Sequence, residues 1–273
     1  MALVPFKRAA EPAPYDDPDD PDDLSAEEEE AGGKMSFLEH LDELRRRLVF
    51  SIVAVLGGFL ASLFFIDRIF VFVMKPLQQI LPHGGKLIYT EPTEAFMLQL
   101  KVAALAGLVL AAPVVMWQVW LFVAPGLYAR EKRFALPFVA FSSLFFIGGA
   151  AFSHYVVFPT AWSFLASFTT EYMEFMPKIS STFSLYARML LAFGLVFQMP
   201  TVVFALARMG VVTAGFLVRN IKYAILIIFV IAAVVTPTSD VVTQAMMAAP
   251  MIVLYGFSIG IAWVFAKKKP RNL

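Results

Sequence analysis

The chain contains no cysteine among its 273 residues, so it forms no disulfide and has neither a thiolate nucleophile nor a thiolate metal ligand. Charged side chains are also scarce, at 16% of the sequence, whereas hydrophobic residues make up 59%. The mean hydropathy of +0.73 lies far above that of a soluble globular protein. The composition therefore predicts an integral membrane protein.

Catalytic signatures are missing as well. The sequence has no His-Glu-x-x-His metal motif, no Gly-x-Ser-x-Gly nucleophile elbow and no phosphate-binding loop. Its three histidines, His40, His83 and His154, are too scattered to indicate a metal site. We therefore predict that the protein is not an enzyme and needs no cofactor, and that it is either a passive scaffold or driven by something other than ATP.

Six charge-free runs are candidates for crossing the apolar core of a bilayer, which is roughly 30 Å thick. They cover residues 48–66, 102–128, 134–170, 189–207, 223–239 and 241–266. The third run is too long for one span, and Pro159 predicts that its helix ends near residue 158. The segment Thr236–Asp240 between the last two runs predicts a tight hairpin. We therefore predict an all-α bundle of six transmembrane helices.

Basic residues are distributed unevenly between the predicted loops. Thirteen lie on one side of the membrane and four on the other. Because cytoplasmic segments are enriched in Lys and Arg, both termini are predicted to be cytoplasmic. The thirteen are Arg45, Arg46, Arg47, Arg130, Lys132, Arg133, Arg208, Arg219, Lys222, Lys267, Lys268, Lys269 and Arg271, and the four are Arg68, Lys75, Lys86 and Lys178.

The first 34 residues differ in character from the rest. They contain eleven acidic residues and almost no large apolar ones, a composition that cannot form a packed core. We predict a disordered acidic cytoplasmic tail at 1–34, a membrane domain at 35–266 and a basic cytoplasmic tail at 267–273. The acidic tail is either a solvated extension or an electrostatic mask over the nearby arginines.

The segment that follows the tail has the pattern of an amphipathic helix. Ser36 and Glu39 have the spacing of a capping box, so a helix is predicted to begin here. Its apolar positions share one face, and Glu43 and Arg47 lie four residues apart on another. The apolar positions are Phe37, Leu41, Leu44 and Leu48. A charged cytoplasmic surface is thus joined directly to the first span.

Residues 37–48, Phe-Leu-Glu-His-Leu-Asp-Glu-Leu-Arg-Arg-Arg-Leu, resemble the opening signature of the TatC family, the multi-spanning receptor of the twin-arginine protein translocase. The resemblance extends in order over about residues 35–265. The other segments that carry it are Lys75–Leu77, Pro113–Tyr128, Glu131–Arg133, Phe193–Gly194, Phe197–Pro200, Thr236–Pro237 and Asp240.

The resemblance implies a cup-shaped bundle of six tilted helices in the bacterial cytoplasmic membrane. It implies that the protein binds signal peptides carrying paired arginines and works with the single-span partners TatA and TatB. Folded proteins would then be exported at the expense of the proton-motive force. It further implies a homo-oligomer within a receptor complex and no role for nucleic acid.

By the family pattern, Glu43 and Glu131 match acids that recognise the signal peptide, with Arg45 and Arg47 in the same patch. This agrees with the chemistry of the ligand, since planar guanidinium groups bind carboxylates through two parallel hydrogen bonds. An alternative is that Glu43 merely pairs with Arg47, a contact worth about 0.3–0.5 kcal/mol.

The segment that contains Gln118 and Phe122 borders the signal site in this family. Together with Trp117 and Trp120, Phe122 is equally consistent with an ordinary interfacial aromatic belt. Both interpretations, a border of the signal site and an aromatic belt, place these side chains near the cytoplasmic end of their span.

Gln198 is a polar residue in the middle of a predicted span, where similar proteins often carry glutamate. The resemblance implies a contact with a partner helix or the signal peptide, made by hydrogen bonding rather than charge. It also assigns structural roles to Pro76, Pro125, Pro200 and Asp240. Kinks are expected at Pro113, Pro200 and Pro250, and Gly256 and Gly260 have the spacing of a close helix contact.

A small-molecule secondary transporter is the alternative function. Such a protein should place paired ionisable groups at the membrane midplane and show an internal repeat. The sequence has neither, and its central polar candidate is Gln198 alone. An intramembrane enzyme is disfavoured because the catalytic motifs are missing.

Overall fold

The computed structural model describes residues 37–81, 87–123, 135–170, 172, 176–236 and 240–266. These residues are almost entirely helical. The helices are α1 (Phe37–Phe64), α2 (Ile66–Ile80), α3 (Pro92–Val123), α4 (Ala135–Phe152), α5 (Phe158–Ala166), α6 (Ile179–Val196), α7 (Met199–Arg208), α8 (Ala214–Arg219), α9 (Ile221–Val235) and α10 (Val241–Phe265). The chain divides into two units at Arg45, and the packing described below concerns the second.

Five helical stretches are long and apolar enough to cross a membrane. They are Glu39–Phe64, Pro92–Phe122, Phe138–Ala166, Ile179–Arg208 and Val241–Phe265. The sixth predicted span corresponds to α9, an apolar helix of 15 residues. The prediction of an all-α membrane protein is confirmed, with five spans of full length and one shorter apolar helix.

The predicted helix end near residue 158 is wrong. The third span runs from Phe138 to Ala166, because a π-helical segment, Ser153–Val157, joins α4 to α5. Pro159 then lies in the first turn of α5, where a missing N–H is tolerated. The Thr160 hydroxyl donates to the Val156 carbonyl at 2.7 Å. A local π turn is one of the adjustments that allow a transmembrane helix to accommodate proline.

The fourth span is interrupted where an unbroken run was predicted. α6 ends at Val196 and α7 begins at Met199, with Phe197 and Gln198 in a turn between them. Pro200 lies in the first turn of α7, so it starts a helix. By contrast, Pro113 and Pro250 lie within the uninterrupted helices α3 and α10.

The core is formed where α4 packs against α3 and α6, and where α10 packs against α7 and α9. Its largest fully buried side chains include Tyr186, Phe158, Phe193, Met189 and Met251. Within a bilayer such contacts stabilise the fold mainly by close packing, because lipid tails are as apolar as the side chains themselves. The packing of α9 on α10 agrees with the predicted hairpin.

A short polar clasp connects the segments that precede α3 and α6. The Ile88 N–H donates to the Pro177 carbonyl at 3.2 Å, and the Ile179 N–H donates to the Ile88 carbonyl at 2.9 Å. The Lys178 ammonium lies 2.6 Å from the Glu94 carboxylate. This hydrogen bond raises the pKa of Lys178. The clasp therefore ties two spans together outside their apolar lengths.

Three of the four residues with predicted structural roles lie within the described part of the chain. Pro76 is buried within α2, and Pro200 is buried at the start of α7. Asp240 caps α10, and its carboxylate accepts a hydrogen bond from the Thr243 N–H at 2.7 Å. Pro125 and both predicted tails, 1–34 and 267–273, lie outside the described residues.

Candidate functional site

Two of the predicted signal-binding residues contact each other. Arg47 lies on α1 and Gln118 lies 71 residues further along, near the end of α3. The Arg47 Nη1 group donates to the Gln118 Oε1 atom at 3.4 Å. Both side chains are half-buried. The contact joins Arg47 of the first span to the last turns of α3.

A pair of glycines allows α1 to approach α3. A methyl group at Gly58 would collide with the carbonyl of Gly107, and one at Gly107 would collide with the backbone of Phe59. The backbones therefore touch here, as small residues permit between transmembrane helices. The glycines singled out in the sequence, Gly256 and Gly260, have open space around them. The close approach within the chain is at a different pair.

The aromatic residues near the end of α3 differ in their surroundings. Trp120 is buried and packs against Phe138 of α4, with ring centroids 4.4 Å apart. Phe122 is half-buried, and Trp117 is exposed. Trp120 thus packs between helices, whereas Trp117 has the exposure expected of an interfacial aromatic residue.

Two further predicted signal-binding residues lie on the first turns of α1, where Glu43 is half-buried and Arg45 is exposed. Glu131 lies outside the described residues, in the segment 124–134. Arg47 and Gln118 are two predicted residues that a hydrogen bond between described side chains brings together. Their guanidinium and amide groups offer hydrogen-bond donors and one acceptor to a peptide.

Gln198 is held by two hydrogen bonds to one residue of a neighbouring helix. The Ser142 hydroxyl of α4 donates to the Gln198 Oε1 atom at 2.8 Å. The Gln198 Nε2 group donates to the Ser142 carbonyl, also at 2.8 Å. The amide therefore links α4 to the turn between α6 and α7. Sequence reasoning missed Ser142, although two adjacent serines within a long apolar run were a visible signal.

The surface beside this link is apolar. Leu195 and Val202 are exposed and lie three residues before and four residues after Gln198. Backbone hydrogen bonds from the Gln198 N–H to the Leu195 carbonyl and from the Val202 N–H to the Gln198 carbonyl, both 2.9 Å, keep the two residues within one turn of Gln198. Within the described part of the chain, no group of three or more His, Cys, Asp and Glu side chains could hold a metal ion. The polar contacts that the structure gives at Gln118 and Gln198 are hydrogen bonds.

These features define a class of protein: a multi-spanning membrane protein with a hydrogen-bonded surface at the ends of its first two spans. The model of the family described as Sec-independent protein translocase protein (TatC) matches residues 39–250. The chain belongs to the TatC family. It is thus a component of protein transport rather than an enzyme, as the sequence predicted.

Relatives and solved structures agree over most of the chain. The chain is 45% identical to the TatC protein of Koribacter versatilis over 89% of this chain and 91% of that protein. It is 47% identical to the TatC protein of Desulforapulum autotrophicum over 90% of this chain and 89% of that protein. Two crystal structures of the twin-arginine translocase receptor TatC superpose with TM-scores of 0.73 and 0.75, at 36% and 37% identity. Each superposition covers 82% of this chain. It covers 98% of the first crystal chain and 99% of the second. The family assignment and fold predicted from sequence are confirmed.

Proposed function

We propose that this TatC-family subunit is the receptor for twin-arginine signal peptides, and that it binds them on the cytoplasmic ends of its first two spans. The observation that carries the proposal is the hydrogen bond between Arg47 and Gln118. This hydrogen bond supports the proposal because it joins Arg47 to a residue near the end of α3. Only seven residues of chain separate the last residue of α3, Val123, from Glu131.

Each predicted site residue has a separate role in this proposal. Glu43 and Glu131 accept hydrogen bonds from the two guanidinium groups of the signal peptide. Arg45 and Arg47 hold the carboxylates and the Gln118 amide in place. Phe122 supplies an apolar surface for the residues that follow the arginine pair. A carboxylate at 131 is notable because its immediate neighbours are Arg130 and Lys132, and positive charge alone suffices to fix membrane orientation.

Photocrosslinking from position 131 tests the signal site. We expect a crosslinker there to form an adduct with a twin-arginine precursor, and we expect the adduct to disappear when both arginines of the precursor are replaced by lysine. Lysine keeps the charge but cannot bind a carboxylate through two hydrogen bonds. A crosslinker at Ile227, which is exposed on α9, serves as the control. An adduct that tolerates the lysine pair would contradict recognition by the paired arginines.

We further propose that Gln198 marks the contact with a single-span partner of the TatA or TatB type. Exposed Leu195 and Val202 flank it and offer an apolar stripe on which such a helix can pack. The link to Ser142 fixes the shape of this stripe by holding the turn between α6 and α7. Assembly with such partners, in a complex with more than one copy of this chain and driven by the proton-motive force, completes the proposed function.

The proposed orientation places both termini in the cytoplasm. It is supported by the thirteen-to-four asymmetry of basic residues. Because the native chain has no cysteine, single cysteines at positions 86, 178 and 238 are expected to react with an impermeant thiol reagent in intact spheroplasts. Cysteines at 131 and 270 are expected to react only after lysis. The reverse pattern would invert the orientation.

A further inference from the structure

A groove of about 400 Å³ lies between α2, α3, α4, α6 and the π-helical segment. Its volume falls within the range of ligand-binding pockets, roughly 300–1,000 Å³. Apolar side chains line most of it, among them Val73, Leu105, Ala106, Ile147 and Leu190. Neither the predicted signal-binding residues nor Gln198 line it, so the groove is separate from the proposed receptor site.

Four polar residues are among those that line the groove, namely Arg68 of α2 with His154, Tyr155 and Tyr186. Their polar atoms contribute almost none of the wall, which is nearly all apolar. Along α3 the lining runs from Val102 to Leu110, and eight residues of helix correspond to about 12 Å. The groove is therefore apolar and long enough for part of an acyl chain, and Arg68 is the lining residue with a permanent charge.

One part of the groove wall is fixed by internal contacts. The ring of His154 is stacked on Phe72 with centroids 4.4 Å apart. Its Nδ1 atom lies within hydrogen-bond distance, 2.9 Å, of the Tyr186 hydroxyl. His154 is buried, and its neighbour Tyr155 is exposed. These rings give the groove a defined shape without a ligand.

Arg68 is the permanently charged residue among the side chains that line the groove. It is exposed, and the described part of the chain supplies it with no ion-pair partner. It follows the uncharged run that ends at Ile66, which places it at the depth where the apolar core of the bilayer gives way to lipid headgroups. A guanidinium at this depth favours a phosphate, which it can bind through two hydrogen bonds.

We propose that the groove binds one anionic phospholipid, such as phosphatidylglycerol, as a specific structural lipid. One acyl chain fills the apolar interior beside Leu105 and Ala106. The phosphate lies on Arg68, and the Tyr155 hydroxyl is available for the remaining polar groups of the head. The coincidence of a cation, a headgroup depth and a narrow apolar groove matches a lipid better than a peptide, whose backbone would find few hydrogen-bond partners among these apolar side chains.

Native mass spectrometry of the detergent-purified protein tests the site with added phosphatidylglycerol and phosphatidylcholine. We expect one phosphatidylglycerol molecule to remain bound at activation energies that remove other lipids. Arg68→Gln is expected to weaken this binding by about five- to tenfold and to abolish the preference over phosphatidylcholine. Arg188→Gln is the matched control, because it removes the same charge from an exposed position of α6 that does not line the groove.

A second variant separates the contribution of acyl-chain binding from that of the Arg68 charge. Ala106→Phe fills the apolar interior and is expected to prevent retention of either lipid. Equal retention by wild type and Arg68→Gln, or an equal loss in Arg188→Gln, would overturn the proposal. Crosslinking of the apolar segment of a signal peptide to Leu110, in protein that retains no lipid, would also overturn it by assigning the groove to the peptide.

Discussion

Replacing Gly107 with alanine is expected to destabilise the folded protein by about 1–3 kcal/mol, the usual cost of forcing extra volume into a packed contact. The added methyl group would collide with the backbone of Phe59, which no side-chain rotation can relieve. α1 would have to move away from α3. The measurement is the midpoint of thermal unfolding in detergent, compared at matched expression with the unmodified protein.

Gly57 provides a control within the same pair of helices. It is adjacent to Gly58, but a methyl group there meets nothing within 4 Å. Gly57→Ala is therefore expected to be neutral or slightly stabilising, since alanine is preferred to glycine inside a helix. Gly107→Ala should also lose precursor crosslinking at position 131, because the shift of α1 would separate Arg47 from Gln118. Equal stability of the two variants would show that α1 is not held at these glycines.

Replacing Gln198 with leucine is expected to cost about 1–3 kcal/mol while leaving membrane insertion intact. Leucine favours the bilayer, but it removes both hydrogen bonds to Ser142. Hydrogen bonds between transmembrane helices contribute about 0.6 kcal/mol on average and up to about 1.7. The same variant should weaken crosslinking to a partner helix, because the turn between α6 and α7 would lose its anchor on α4.

A double-mutant cycle isolates this link. Ser142→Ala and Gln198→Leu should couple, because they share hydrogen bonds, and the coupling is read from unfolding midpoints. Ser143→Ala is the control, since the Ser143 hydroxyl donates to Val139 in its own helix at 2.7 Å. Gln198→Glu should retain only the bond from the Ser142 hydroxyl, because a carboxylate has no proton to donate to the Ser142 carbonyl. Full stability of the leucine variant would assign Gln198 to packing alone.

Charge-free length predicted most of the spans, because the requirement for apolar sequence within a bilayer is strict. The predicted helix boundaries were wrong where the backbone departs locally from α-helical geometry. Pro159 was read as a helix end, yet a π-helical segment lets the helix continue past it. Gln198 was read as part of an unbroken span, yet it lies in a turn. Such adjustments depend on neighbouring helices, which periodicity does not describe.

The family signature predicted which residues belong to the candidate site, because it identifies them by their position in the sequence. Arg47 and Gln118 were both named, and the structure brings them together. Their contact could not be derived from spacing, because it depends on how closely α1 approaches α3. That distance is set by Gly58 and Gly107, which lie in different spans. Ser142 was missed for the same reason, since its partner is 56 residues away.

The brevity of α9 has a consequence for the surrounding lipid. Its 15 residues rise only about 22 Å, against a bilayer core of roughly 30 Å. Leu226, Val230 and Val234 are exposed along it, so lipid tails on this side meet a shorter hydrophobic surface than beside α10, which has 25 residues. A helix shorter than the bilayer core is accommodated by local thinning of the bilayer or by association with another helix, and each Å of mismatch costs a fraction of a kcal/mol. Deformed lipid along one flank favours covering that flank with another protein helix, which would relieve the compression without any specific contact.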